Sequence, residues 1–522
     1  MRVQLIHPPA FVNPTALTAL APTLPLGLAY IAASARQGGH DVSIIDSVGA
    51  APHRLVRDGP VAILGLGVDE IVEAIEPDTQ IVGLGETFTY QWFIVQRILA
   101  AVKKARPDVL LVVGGEHFTG LPEYTLAESE ADVVVVGEGE ETFLDILRRY
   151  EAFLDERGGV PDDVQGTVHE WLGGCPGTVY RDAPGAPVME ERRARVRDVD
   201  KIPPPAWDLF DVLTYDDNRW ITGIRRGVTV PLFATRGCPY RCTYCSSSNM
   251  WTTKWVARDP KLVADEMQHS YEKYGARNFP FHDLTAILKR QWIIDFCNEI
   301  IERDLDLSWQ LPLGTRCEVV DDEVAELLKR SGGWSLNFAP ESGSAKVRER
   351  VKKQMTEESL MSAVRAATGQ GLNVTTFFIL GFPEDEPADL KETVRMVKHL
   401  ARAGVDDVAV GFFFPIPGTP LWSQLEDAGR VGMDMDTILA PLFVHDRWIT
   451  EERNFCSNMS ARTLTYWKYR VVFAFYLRAI VLNPKRWWRI ATNFFSERED
   501  SKFDSFMRIL RQRFFTRRAA KT

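Results

Sequence analysis

The chain has 522 residues, 45% hydrophobic and 25% charged, which is enough for two to four domains with cores of their own. Seven cysteines and no signal-peptide pattern at "MRVQLIHPP" argue against a disulfide framework and for a reducing cytoplasm. Residues 461–522 hold 15 Lys and Arg against 4 Asp and Glu, so within a net charge of −10 the first 460 residues stand at −21, which argues against nucleic acid as a partner.

Residues 1–150 alternate apolar strands with helical stretches. Strands are expected at 2–9, 41–46, 61–67, 79–86, 108–117 and 131–140, and helices at 25–40 and 90–107. Fully apolar strands between helices predict an α/β fold with a doubly wound, Rossmann-like parallel sheet, its ligands at the C-terminal strand ends. Residues 151–225 read as a Pro-, Gly- and charge-rich linker with little regular structure of its own. A second βα series occupies 226–425, with strands at 229–235, 278–283, 307–316, 334–343, 373–382 and 407–415 and helices such as 260–274 and 321–331. Six units predict an open, partial (β/α)6 barrel with its chemistry on the loops after the strands. Residues 426–522 read as a mainly helical C-terminal domain, dense in aromatics and Arg, with no apolar run long enough to span a membrane.

The loop after the first barrel strand, "RGCPYRCTYC", places Cys238, Cys242 and Cys245 in a C-x-x-x-C-x-x-C spacing. Structural zinc takes four protein ligands, whereas three thiolates on a cubane 4Fe–4S cluster leave one iron open. Zinc and buried free thiols remain the alternatives.

This motif, with Tyr244 before its last cysteine, resembles the signature of radical S-adenosylmethionine (SAM) enzymes. The resemblance implies that the open iron binds the amino and carboxylate groups of SAM, and that one electron releases a 5′-deoxyadenosyl radical. It further implies SAM contacts at Asp283 after strand two, Arg316 after strand three, Glu341 and Ser342 after strand four, and Gly381 after strand five. Trp251 and Trp255 read equally as site-lining or core residues.

Three G-x-G pairs end expected strands in 1–150, and none extends to G-x-G-x-x-G, so a dinucleotide site is poorly supported. The order "GLGETFT", "VVGGEHFTG", "VVVVGEGEETFLDIL" resembles the cobalamin-binding domains fused ahead of radical SAM barrels. That resemblance implies cobalamin contacts at Gly85, Glu86, Thr87, Gly114, Gly115, His117, Gly137, Glu138 and Gly139. The D-x-H-x-x-G motif that supplies a lower cobalt ligand is absent. His117 is therefore expected at a loop or corrin edge, and His7 in a structural role.

Together the resemblances imply a cobalamin-dependent radical SAM methyltransferase acting on an unactivated carbon of a specialised or lipid-type metabolite. The cofactors would be a 4Fe–4S cluster, SAM and cobalamin. The partners would be a small-molecule substrate and a one-electron donor of flavodoxin or ferredoxin type. Radical cyclisation, rearrangement or C–C coupling is the alternative reaction, and a non-catalytic Fe–S or cobalamin sensor the alternative class. The basic aromatic tail, 461–522, reads either as a helical cap over the barrel mouth or as a peripheral membrane contact of a cytoplasmic protein.

Overall fold

A computed structural model describes residues 1–14 and 22–482, with residues 492–493, 499–501, 503–504, 507–508 and 511 beyond them. The N-terminal sheet contains β1 (Arg2–His7), β2 (Asp41–Asp46), β3 (Ile81–Gly85), β4 (Leu110–Gly114), β5 (Val133–Val135), β6 (Thr178–Arg181) and β7 (Pro187–Met189). Their order across the sheet is β7-β6-β5-β4-β3-β1-β2. The five strands from β1 to β5 are parallel. Runs such as Leu110–Val113 and Val133–Val135 are apolar on both sides because helices cover both faces of the sheet. The flanking helices include α1 (Leu26–Gln37), α2 (Trp92–Ala105), α3 (Glu116–Gly120) and α4 (Gly139–Arg157). Strand order reverses at β1, which opens a crevice between the C-terminal ends of β1 and β3.

Two expectations are corrected here. The run 61–67 does not join this sheet. Val61–Leu64 pairs antiparallel with Ala10–Val12 and Leu55–Asp58 in a small sheet of its own. The stretch expected as an unstructured linker contains a helix, Val164–Leu172, and the antiparallel strands β6 and β7, which extend the N-terminal sheet. Their alternation is too short to stand out among the surrounding Gly, Pro and charge.

The second domain has five continuous parallel strands: β8 (Asn278–Pro280), β9 (Ser308–Thr315), β10 (Gly333–Glu341), β11 (Asn373–Leu380) and β12 (Asp407–Phe412). The expected first strand, 229–235, touches β8 through two parallel bridges only, Thr229 to Asn278 and Leu232 to Phe281. Pro231 and Pro280 lack an N–H, so the ladder cannot run through them. After this irregular strand come α5 (Ser247–Trp251) and α6 (Pro260–Tyr274). Asp259 caps the start of α6, Pro260 stands at its first position, and Gly275 ends it in the left-handed conformation. The last crossover helix is α7 (Pro387–Arg402).

Among the described residues the tail does not cap the mouth. Helix α8 (Ala461–Leu482) lies against α7 and the edge strand β12. Its Leu464 sits beside Gly381 at the upper end of the strands, and its Tyr476 hydroxyl donates to Asp407 at the lower end (3.2 Å). Beyond it, the Asp500 carbonyl accepts from Asn373 on the barrel floor (3.0 Å), and Glu499 pairs with Arg219. The stretch 483–491 and most of the tail after 493 lie outside the described residues. Among the described residues the segment 435–443 links the last barrel strand to the N-terminal domain. Its Leu439 and Leu442 bury in the N-terminal core, and the following Val444 carbonyl accepts from Phe412 N of β12 (3.3 Å).

Candidate active site between the two strand-end surfaces

The cysteine loop is held from several sides. Thr243 N donates to the Val351 carbonyl (3.1 Å), and Leu421 N to the Thr243 carbonyl (3.0 Å). The Tyr244 ring packs on Phe382 (5.5 Å). Cys238, Cys242 and Cys245 are unpaired and half-buried, and the other four cysteines are buried. Burial raises all three loop thiols, the state that a bound metal would reverse by holding them as thiolates. Three unpaired thiols on one braced loop are a donor set that suits an iron–sulfur cluster.

Beside the loop, the Tyr244 hydroxyl donates to Glu341 Oε1 (2.9 Å), and Lys353 Nζ pairs with the same oxygen (3.2 Å). Glu341 holds a left-handed backbone (φ 63°), a conformation that costs a residue with a Cβ about 1–2 kcal/mol. A buried carboxylate with a half-buried ammonium and phenol in one cluster can bind a zwitterion. Nothing in the sequence singled out Lys353, which stands in "VKKQM" like any solvated lysine pair.

The other residues expected at SAM have protein partners of their own. Asp283 accepts from Ala234 N, from Thr235 N and from Thr235 Oγ1 (2.6 Å), and burial pushes it up to about 6. It braces the strand that leads to the cysteines. Arg316 pairs with Glu318 and stacks on Tyr240 (3.9 Å). Ser342 is buried, with its hydroxyl accepting from Ser344 N (3.2 Å). Gly381 (φ 84°) has Leu464 where a Cβ would stand, so its missing side chain makes room for α8. Trp255 Nε1 donates to the Thr285 carbonyl (2.9 Å).

On the cobalamin-like side, Gly85, Gly114, Gly115 and Gly139 lie half-open at the ends of β3, β4 and β5, and Thr87 is exposed. Gly115 (φ 123°) is required, because a Cβ there would overlap the Glu86 backbone. The Glu86 carboxyl accepts from Thr87 N (2.8 Å) and Phe88 N (2.7 Å). These open backbone loops suit a broad, flat ligand. His117 does not reach that surface. It is buried against Trp92 (ring centroids 4.8 Å), its Nδ1 meets Thr89 Oγ1 (3.2 Å), and burial lowers it to about 3. The side chain expected at a loop or corrin edge thus packs beneath the loop. His7 is in contact with Asp46 (2.9 Å) and the Tyr215 hydroxyl (3.1 Å).

The two surfaces meet. Glu138, expected at the cobalamin, pairs with Arg195 (2.5 Å) and Arg236 (3.2 Å), and Arg236 also pairs with Glu140 (2.6 Å). Arg236 is two residues before Cys238 and 6% exposed. Both guanidiniums lie over the Trp251 ring at 5.4–5.5 Å. Ser246, next to Cys245, donates to Glu116, and Gly120 abuts the backbone of Pro417 and Gly418. The glycine-bearing loops of the first sheet therefore face the cysteine loop and the last barrel loop across a buried ionic seam. Opposite charges in "GEGE" and "TRGC" were visible in the sequence, but their pairing needed the fold.

A parallel sheet with open strand-end loops, set against a partial barrel with three cluster-suited thiols, defines a protein built to hold two cofactors face to face. Residues 13–147 match the B12 binding domain and residues 232–412 the Radical SAM superfamily. An uncharacterized methyltransferase of Pyrococcus horikoshii is 30% identical over 427 residues, 81% of this chain and 82% of that one. The cytidylyl-2-hydroxyethylphosphonate methyltransferase of Streptomyces wedmorensis is 28% identical over 78% of this chain and 79% of its own. The anaerobic magnesium-protoporphyrin IX monomethyl ester cyclase of Rubrivivax gelatinosus is 27% identical over 83% and 71%. The structure of the radical SAM methyltransferase TsrM of Kitasatospora setae with cobalamin and a [4Fe-4S] cluster superposes with a TM-score of 0.62 at 18% identity, covering 82% of this chain and 78% of that one. The chain belongs to the radical SAM enzymes that carry an N-terminal B12-binding domain. The cofactors of that family are a 4Fe–4S cluster, SAM and cobalamin.

Proposed function

We propose that this enzyme methylates an unactivated carbon of a small molecule, of specialised-metabolite or lipid type. When bound, the cluster with SAM supplies a one-electron route to hydrogen abstraction, and cobalamin supplies the methyl group. The observation that carries this reading is the ionic seam of Glu138, Glu140, Arg195 and Arg236, which fixes the open strand-end loops opposite the cysteine loop. On this reading Cys238, Cys242 and Cys245 hold the cluster. Glu341, Lys353 and Tyr244 hold the charged end of SAM, and Asp283 positions the loop from behind. Gly85, Gly114, Gly115 and Gly139 admit the flat face of cobalamin. A one-electron donor of flavodoxin or ferredoxin type, a cytoplasmic location and a peripheral membrane contact through 461–522 complete the proposal.

The test is anaerobic incubation of reconstituted enzyme with cell extract, cobalamin, reductant and methyl-labelled SAM. A labelled product together with S-adenosylhomocysteine and 5′-deoxyadenosine is expected. Labelled product without deoxyadenosine removes the radical step. The cyclase among the relatives favours a second reading, radical ring formation without methyl transfer. Deoxyadenosine with an unlabelled new product selects it.

A further inference from the structure

Helix α8 contains no Asp or Glu, and it carries Arg462, Lys468, Arg470 and Arg478. Its inner face, with Leu464, Trp467, Val471 and Phe475, is buried against the barrel edge. Its outer face is apolar as well. Tyr466, Tyr469, Phe473, Leu477 and Val481 recur every three or four residues along one side. Phe473 and Val481 are 67% and 69% exposed. A surface helix normally turns polar side chains outward, and an exposed apolar stripe of four turns marks an interaction site.

A second feature adjoins the stripe. Where α7 and α8 meet, Lys391, Arg395, Lys398, Arg402 and Arg470 line a groove floored by Trp467. Arg395 pairs with Glu357. Lys391, Lys398 and Arg402 form no ion pair with a described residue. Arg470 belongs to both features, since it lines the groove and its guanidinium donates to the Tyr466 hydroxyl (2.9 Å). The surface is thus apolar along one side and strongly cationic along the other, on a protein whose first 460 residues carry −21.

We propose that the outer face of α8, with the cationic groove beside it, docks the enzyme on an anionic lipid bilayer. Tyr, Phe, Leu and Val suit the boundary between headgroups and acyl chains, and Lys and Arg beside them suit anionic headgroups. Among the described residues no helix is long and apolar enough to cross a membrane, so α8 lies on the surface. A second copy is disfavoured, because pairing two such faces sets Arg462, Arg470, Lys398 and Arg402 against their duplicates with no acid on the helix. The inference rests on the membrane clause of the proposed function and narrows it to one helix face. Its readout needs no turnover, so it stands or falls apart from the methylation reading.

The experiment is co-sedimentation of the full-length, cofactor-loaded protein with vesicles of phosphatidylcholine, alone or mixed with phosphatidylglycerol. The protein is expected to pellet with the anionic vesicles and to bind the neutral ones at least tenfold more weakly, with loss at high salt. Tyr469→Ser/Phe473→Ser/Leu477→Ser is expected to lower anionic binding at least tenfold. Lys391→Glu/Lys398→Glu/Arg402→Glu, which leaves the apolar stripe intact, is expected to remove the preference for anionic vesicles. Dithionite-driven SAM cleavage at the wild-type rate verifies that each variant is folded. Failure of the wild type to pellet overturns the proposal. So does wild-type binding in both variants, which would place the lipid contact elsewhere. A dimer in light scattering that the apolar variant converts to a monomer would assign the face to a second copy and overturns it too.

Discussion

The two strand-end surfaces solve different recognition problems with different groups. The N-terminal sheet offers backbone: Gly85, Gly114, Gly115 and Gly139 lie half-open, and the nearest acids are turned away, Glu138 into the ionic seam and Glu86 onto its own loop amides. The barrel offers charged and soft side chains: three thiols, and the Glu341–Lys353–Tyr244 cluster. The contrast suits the ligands. A flat macrocycle is bound through area and needs side chains out of the way. A cluster and a zwitterionic cosubstrate are bound through bonds and charges. The difference also says what substitution should do: on the first side added bulk is harmful, and on the second lost groups are.

The largest effect expected from this contrast is at the cysteines. Alanine at Cys238, Cys242 or Cys245 should bring cluster iron and 5′-deoxyadenosine to background while cobalamin absorbance stays with the protein. Simultaneous loss of cobalamin would show that the two surfaces are not separable. The seam should break that separation. Glu138→Gln leaves Arg195 and Arg236 buried with one carboxylate fewer between them. Removing one member of a buried ionic network costs about 3–5 kcal/mol. The variant should lose thermal stability by that amount and lose cobalamin and SAM cleavage together. A variant that kept both would mean that the seam does not set the distance between the surfaces.

Much of this architecture was legible because its signals are local. Apolar runs between helical stretches pointed to the parallel strands, the helical stretch 260–274 coincides with α6, and the cysteine spacing singled out the loop after the first barrel strand. What was not legible is which way a side chain turns once the strand has delivered it. Asp283, Ser342 and Arg316 were expected at a ligand because they follow barrel strands, yet their partners are Thr235, Ser344 and Glu318. Position after a strand brings a residue to the mouth, but it does not say whether the side chain turns to the ligand or braces the loop behind it. The same holds for His117, expected at a loop or corrin edge, whose ring packs on Trp92, 25 residues earlier in the sequence. Lys353 was missed for the opposite reason, because only the fold of the stretch after β10 carries it to Glu341.

The smallest expected effect tests whether Glu86 serves its own loop. Its carboxyl is buried, with two backbone amides as donors, Tyr90 close by, and His7 as the nearby group that favours the charged form. Burial outweighs these and pushes it from 4.5 up to about 7. The folded chain therefore holds a proton that the unfolded chain releases above its ordinary carboxyl range. Its contribution to stability is complete below pH about 4.5, falls as pH rises from there to about 7, and is flat beyond. Glu86→Gln keeps an oxygen for Thr87 N and Phe88 N and has no proton to release. The variant should match the wild type in acid and exceed it by roughly 3 kcal/mol at pH 8. Chemical unfolding of the cobalamin-free protein across this range reads the difference directly. Parallel curves would mean that Glu86 is already ionised in the folded loop and is free to meet a ligand there, which would give the N-terminal surface a charged group after all.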